Sequence, residues 1–244
     1  MKLRFEEQEE KYIIVSTSSN WLNTGYEAVM EDTISLVVAT RNKGKTAEIR
    51  ALLEDHPVQI KNLDDFGPIP EVEEDGDTFE ENAYKKASFA ARVLGYPALA
   101  DDSGLVVEAL DGRPGVHSAR YAGADATDED RCVKLLDELG DEPNRNAAFA
   151  CVISIAVPTG AALTYESRCN GRITRKPEGT NGFGYDPIFY SPEYDKTFAQ
   201  LTMDEKSRVS HRGKALSEVV SEFDKVLIWI RQNMPIQEKF ECKR

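Results

Sequence analysis

Hydrophobic positions along the chain fall into blocks whose spacing predicts strands and helices in turn. Residues 34–39 form a dense β-branched run that is typical of a buried strand, and the polar residues 40–45 follow it. The next apolar positions, Ile49, Leu52 and Leu53, are spaced to share one face of a helix. A strand, a polar loop and a helix in this order indicate an α/β fold.

Two further helices are predicted from apolar stripes and capping signals. Thr78 and Glu81 make the Thr-x-x-Glu pattern of a capping box, and an alanine-rich stripe continues over residues 79–94. Residues 128–139 carry a second stripe, which Gly140 ends. Each pattern predicts an amphipathic helix with one face in the core.

Strands and a C-terminal helix complete the pattern. A short strand is expected near residues 58–60, and residues 147–157 and 162–173 predict a long antiparallel hairpin. A helix is expected from about Ser207 or Gly213 to Ile230. Its apolar face would anchor a basic cluster to the core.

The stretch that best combines structure with chemistry is residues 100–105, where an apolar run meets Asp101 and Asp102. Apolar residues on both sides predict one strand that enters a turn and another that leaves it. Ligands of open α/β sheets bind beyond the carboxyl ends of strands, which is where this interpretation puts both carboxylates. The alternative is ordinary turn chemistry, because Asp, Ser and Gly all favour turns.

Three other segments carry candidate binding chemistry. Residues 40–45 combine two lysines with a predicted helix N-terminus, which favours a phosphate site, or else they form a solvated loop capped by Asn42. They lack the second glycine of a Walker A loop. The glycine-rich residues 179–187 could hold a planar ligand or form a plain turn, and residues 206–214 are basic in an acidic chain.

Composition narrows the functional classes. The chain has 244 residues, of which 41% are hydrophobic and 30% charged, as in folded globular proteins. A formal net charge of −13 argues against nucleic-acid binding, which needs a basic face. The apolar runs are too short to span a membrane, and the acidic start does not resemble a signal peptide. We therefore expect a cytoplasmic protein whose four cysteines, without metal-binding spacing, are reduced thiols.

Five segments in order closely resemble the non-canonical purine nucleoside triphosphate pyrophosphatases, also called the Ham1 or RdgB family. The segments are residues 40–45, 81–83, 100–105, 182–187 and 205–213. The resemblance implies an α/β fold with a long mixed central sheet, helices on both sides, and two lobes around an active-site cleft, usually in a homodimer. The family domain would span residues 33–230, with an N-terminal extension at 1–32 and a tail at 231–244.

The resemblance also implies a reaction and residue roles. It implies Mg²⁺-dependent hydrolysis of ITP, dITP and XTP to the monophosphate and pyrophosphate, which would clear deaminated purines from the nucleotide pool. Asp102 would accept the proton of the attacking water, and Glu81 and Asp102 would bind Mg²⁺. Asp101 would lie next to these ligands without binding the ion directly. Glu81 could instead serve only the capping box. Substrate contacts would come from Thr40, Arg41, Asn42, Lys43, Gly44, Lys45, Ser103, Phe183, Gly184, Tyr185, Asp186, Lys206, His211 and Arg212.

The chemistry of these residues agrees with that reaction. An acidic protein can bind a triphosphate only through a metal ion and focused cations such as Lys45, Lys206 and Arg212. A donor such as His211 or Arg212 could read the 6-oxo group that adenine lacks, and Phe183 could stack on the base. The rival hypotheses are a hydrolase of pyrimidine or methylated nucleotides and a non-catalytic purine triphosphate sensor.

Overall fold

The computed structural model describes residues 33–235 of the chain. The predicted extension at residues 1–32 and most of the predicted tail lie outside the described residues. Seven strands are described: β1 (Ile34–Val38), β2 (Val58–Asn62), β3 (Ala98–Val107), β4 (Asn146–Ala156), β5 (Ala162–Ile173), β6 (Phe189–Ser191) and β7 (Lys196–Thr197). The α-helices described are α1 (Lys43–Leu52), α2 (Phe79–Leu94), α3 (Asp128–Leu139), α4 (Met203–Val209), α5 (His211–Ser221) and α6 (Phe223–Asn233).

The strands form one mixed sheet in the order β2-β1-β3-β4-β5-β6-β7. The pairs β1–β2 and β1–β3 are parallel, and the remaining pairs are antiparallel. Buried side chains of α1, α5 and α6 cover one face, whereas the alanine stripe of α2 covers the other. The predicted α/β class, with a long mixed sheet between helices, is confirmed.

Local sequence signals located several elements correctly. Thr78 accepts a hydrogen bond from the Glu81 amide at the start of α2, and Thr127 caps α3, which Gly140 ends. Strands β4 and β5 pair as the predicted hairpin. Three cysteines are described, and all are buried free thiols: Cys132, Cys151 and Cys169. No helix in the described part of the chain is long and apolar enough to span a membrane.

The predicted turn at Asp101 and Asp102 is wrong, because β3 runs through both residues without a break. It pairs with β4 along its whole length, which holds the backbone extended where local propensity favours a turn. On its other side β3 pairs with β1 only at Ala98 and Leu99. Both aspartates therefore lie just beyond the carboxyl end of β1, on an edge of β3 that β1 leaves open.

The prediction of one continuous C-terminal helix is also wrong, because the segment forms three helices, α4, α5 and α6. Ser210 is extended between the first two, with φ −66° and ψ 153°, and its side chain accepts a hydrogen bond from the Gly213 amide at 3.1 Å. A Cβ on Gly213 would lie 1.7 Å from the Ser207 carbonyl oxygen, so this close approach requires glycine. The break makes His211 and Arg212 the first residues of a new helix.

Candidate functional site

A cavity of about 450 Å³ opens beside β3 and gathers most of the predicted substrate contacts. The predicted residues that line it are Asn42, Gly44, Lys45, Ser103, Phe183, Gly184, Tyr185, Asp186, Lys206, His211 and Arg212. Thr40 and Arg41 line a neighbouring cavity of about 350 Å³, and Lys45 and Asp101 border it as well. Lys43 begins α1. Segments far apart in the sequence thus converge on the open edge of β3.

The loop before α1 is organised by its capping residue. Asn42 Oδ1 accepts hydrogen bonds from the Gly44 amide at 2.9 Å and the Lys45 amide at 3.2 Å. Thr40 Oγ1 in turn accepts from the Asn42 amide at 3.2 Å. The predicted cap is confirmed, and the capped turn directs Lys45 towards β3.

Asp101 holds two cations on one face of the sheet. Lys45 Nζ lies 2.9 Å from each carboxylate oxygen, and Arg212 Nη2 lies 3.1 Å from Oδ2. Burial by itself would raise the pKa of Asp101, but Lys45 and Arg212 outweigh it and hold that pKa well below its usual range. Asp101 therefore remains ionised and fixes cations from α1 and α5 at the edge of the cavity.

Asp102 faces the opposite side of the sheet, because successive residues of a strand alternate between faces. Its Oδ1 accepts from Lys86 Nζ of α2 at 2.9 Å, and the same ammonium lies 3.3 Å from Glu74 Oε2. Burial and the nearby carboxylates of Glu74 and Asp101 raise the pKa of Asp102, although Lys86 opposes them. The result is a buried carboxylate that is more basic than usual.

The predicted metal ligand Glu81 is exposed at the start of α2. Its Oε2 accepts a hydrogen bond from the Asp77 amide at 2.7 Å, so the reciprocal bond of the capping box goes to Asp77 rather than to Thr78. Within residues 33–235 no group of three or more His, Cys, Asp or Glu side chains is arranged to hold a metal ion. The carboxylate that shares a cation with Asp102 is instead Glu74.

Glu74 and Lys86 were missed in the sequence. Glu74 lies in an acidic run within an irregular segment, where solvated charge is the ordinary interpretation. Lys86 is one of two adjacent lysines on α2, and its neighbour Lys85 pairs with the exposed Asp75. The sequence predicted only that Lys86 lies on the same helix as Glu81, five residues later. It did not indicate which carboxylate Lys86 would contact.

The glycine-rich segment forms a second wall of the cavity. Asp186 Oδ2 accepts a hydrogen bond from the Phe183 amide at 2.8 Å and forms an ion pair with Lys206. Lys206 Nζ also lies 4.4 Å from the centre of the Phe183 ring, which is 62% exposed. Gly182 has a φ of +80°, and a Cβ there would lie 2.0 Å from Asp186 Oδ2. The glycine permits a tight turn that leaves an aromatic ring accessible at the cavity.

His211 also lines this cavity. Its imidazole stacks on Phe149 with ring centres 4.8 Å apart and 15° between the planes. Nδ1 is buried and has no hydrogen-bond partner among the described residues. Burial, with the nearby Arg212 and Lys206 cations, lowers the pKa of His211 to about 3. The ring is therefore neutral, with Nδ1 shielded from solvent, while the side chain lines the cavity.

Comparisons with known proteins agree on one family. The family model described as the Ham1 family matches residues 36–222. A dITP/XTP pyrophosphatase of Syntrophobacter fumaroxidans is 62% identical over 195 residues, which cover 80% of this chain and 84% of that protein. Its counterpart in Desulfotalea psychrophila is 56% identical over 199 residues, covering 82% and 89%. The structure of a HAM1 protein from Coxiella burnetii superposes with a TM-score of 0.76 at 44% identity, covering 79% and 99%.

Proposed function

The chain belongs to the Ham1 family of nucleoside triphosphate pyrophosphatases, and from that premise we propose that it hydrolyses deaminated purine triphosphates to the monophosphate and pyrophosphate. ITP, dITP and XTP would be the substrates. The observation that carries the proposal is the position of Asp102, a buried carboxylate of raised pKa that contacts Lys86, while the next residue of β3, Ser103, lines the aromatic cavity. A homodimer, implied by the family resemblance, and a cytoplasmic location, expected from the composition, are part of the same proposal.

The triphosphate would lie along the open edge of β3. Lys45, Arg212 and Lys86 supply positive charge there from three different helices. The positive end of the α1 dipole lies at the same loop and suits phosphate oxygens. Because Asp101 already holds two of these cations in place, little ordering would be required when a triphosphate binds.

Asp102 and Glu74 fit the Mg²⁺ that the family resemblance implies. Both carboxylates contact one ammonium group, so they already share a position that suits a cation. Mg²⁺ commonly binds through one or two carboxylates together with substrate phosphates and water, so a cluster of three protein ligands is not required. When bound, the ion would neutralise charge that develops on the phosphates. Glu81 would support the helix start instead.

The same carboxylate provides a base for water. Asp102 would accept a proton from a water molecule whose oxygen bonds to the α-phosphorus, while the bond to the β-phosphate oxygen breaks and pyrophosphate leaves. The raised pKa of Asp102 makes this transfer more favourable than for an exposed aspartate. Lys86 would keep the carboxylate oriented through its contact of 2.9 Å.

Base selection would occur in the aromatic part of the cavity. The accessible Phe183 ring would stack on the purine, and the His211 side chain, which lines the same cavity, would lie at the edge of the base. Sites that read a polar group by hydrogen bonding discriminate by about 10⁴ or more, compared with roughly 10² for shape alone. Adenine has an amino donor where hypoxanthine and xanthine have an acceptor, which is the difference such a site would read.

Turnover of a panel of triphosphates tests this proposal. With Mg²⁺, we expect kcat/KM for XTP and dITP to exceed that for ATP, GTP and dTTP by at least about 10². Equal rates with all five would contradict the purine selectivity, and preferential cleavage of dTTP would favour the pyrimidine hydrolase. Tight binding of XTP without cleavage would favour a sensor.

A further inference from the structure

The segment that carries Phe183 is hydrogen-bonded to the N-terminal part of α3. Asp128 Oδ2 accepts a hydrogen bond from the Gly184 amide at 2.7 Å. One turn later, Cys132 Sγ lies 3.4 Å from the Gly184 carbonyl oxygen, to which it donates. Both backbone polar groups of Gly184 are therefore bound by α3.

These two hydrogen bonds fix the backbone of Gly184. Gly184 has a φ of +63°, a conformation that glycine adopts without strain but does not by itself enforce. The adjacent Phe183 ring is 62% exposed, so core packing does not fix its position. The position of the ring thus depends on where the Gly184 peptide is held, together with the Phe183 amide bond to Asp186 and the Lys206 ammonium over the ring.

Arg131 orients the Asp128 carboxylate. Its Nη2 forms an ion pair with Asp128, while Nη1 donates to the Ala119 carbonyl at 2.9 Å and to the Ala126 carbonyl at 2.8 Å. Burial opposes ionisation of Asp128, but the Gly184 amide and Arg131 together lower its pKa. Both residues also line the cavity of about 450 Å³.

A further bond joins the Phe183 segment to residues 115–120. The Tyr185 hydroxyl donates to the Ser118 carbonyl at 2.9 Å, and Tyr185 is buried. Tyr185 therefore anchors the segment on the core side, whereas Asp128 anchors it on the side of the exposed ring. Loss of Asp128 would release the end that carries Phe183 without unfolding the segment.

We propose that Asp128, oriented by Arg131, is a positioning residue that holds the Phe183 ring ready to stack on the purine base. This inference rests on the proposed function, and it assigns Asp128 no contact with the reacting atoms. It predicts that Asp128 contributes to binding of the base and does not contribute to binding of the phosphates. The two contributions can be measured separately.

The test compares variants at two neighbouring acidic residues. Asp128→Ala should raise KM for XTP and Kd for xanthosine monophosphate about tenfold, the loss expected for a hydrogen bond to a charged group, with kcat within about twofold. Kd for inorganic tripolyphosphate, which has no base, should not change. Asp128→Asn retains an acceptor for Gly184 and should recover most of the affinity. Glu129→Ala, an exposed position in the same helical turn, is the matched control and should behave as wild type.

A double-mutant cycle with Phe183→Ala tests the route of the effect. If Asp128 acts through the ring, Asp128→Ala should weaken monophosphate binding little further once Phe183 is absent. Additive losses, an unchanged Kd in Asp128→Ala, or an equal loss of tripolyphosphate binding would each overturn the inference. A wild-type protein that left XTP intact would contradict the proposed function. The binding measurements would still decide the role of Asp128, because monophosphate binding does not require catalysis.

Discussion

Asp102→Asn is expected to lower kcat for XTP by about 10² to 10⁴, the range that a positioned general base contributes. Asparagine has nearly the shape of aspartate but cannot accept the proton of the attacking water. KM should change much less, because Lys45 and Arg212 lie on the opposite face of β3, where they contact Asp101. Steady-state kinetics with XTP measure both quantities.

The pH dependence of the wild-type enzyme provides a second measure of the same role. Asp102 must be ionised to accept a proton, so kcat should fall as pH decreases through its pKa. Without a metal ion, burial and the nearby carboxylates raise that pKa, and Mg²⁺ bound to the same carboxylate would lower it, so the acid limb should lie at higher pH with limiting than with saturating Mg²⁺. His211, with a pKa of about 3, should not contribute near neutral pH.

Near-normal turnover by Asp102→Asn would exclude Asp102 as the base, and Asp125→Asn, in an exposed loop, is the control.

Glu74→Gln should raise the Mg²⁺ concentration needed for half-maximal activity by at least about 10- to 100-fold. Losses of that size follow changes even in the outer contacts of a metal site, and Glu74 would be a direct ligand. Glu74 shares the Lys86 ammonium with Asp102, so removal of its charge leaves Asp102 as the remaining carboxylate at that position. Activity measured across a Mg²⁺ titration gives the shift directly.

Glu81→Gln is the matched comparison for that titration. Glu81 Oε2 accepts a hydrogen bond from the Asp77 amide, and a glutamine oxygen can accept the same bond. We therefore expect the Mg²⁺ requirement to stay within about twofold of wild type. A large shift in Glu81→Gln together with none in Glu74→Gln would instead support the assignment that the family resemblance suggested.

Elements with local signals were predictable from the sequence. Helices α2 and α3 begin at threonine caps, and the β4–β5 hairpin has two long segments of strand character around a short connection. The continuity of β3 had no local signal, because it results from pairing with β4 some fifty residues away. Pairing across the sheet decided the conformation against the turn preference of the Asp-Asp-Ser-Gly sequence.

The sequence identified most residues of the candidate site but not which of them contact one another. Asp101 and Asp102 were both identified, yet their placement on opposite faces depends on the strand that replaced the predicted turn. As a result Asp101 contacts Lys45 and Arg212, whereas Asp102 contacts Lys86. Such pairs join segments far apart in sequence, and only the folded chain brings them together.

Hydrolysis of XTP in ¹⁸O-labelled water is the decisive test of attack at the α-phosphorus, because the label records which phosphorus water attacks. We expect the products to be xanthosine monophosphate and pyrophosphate, with one ¹⁸O atom in the monophosphate. Label in pyrophosphate, or formation of xanthosine diphosphate and phosphate, would contradict an attack on the α-phosphorus beside Asp102.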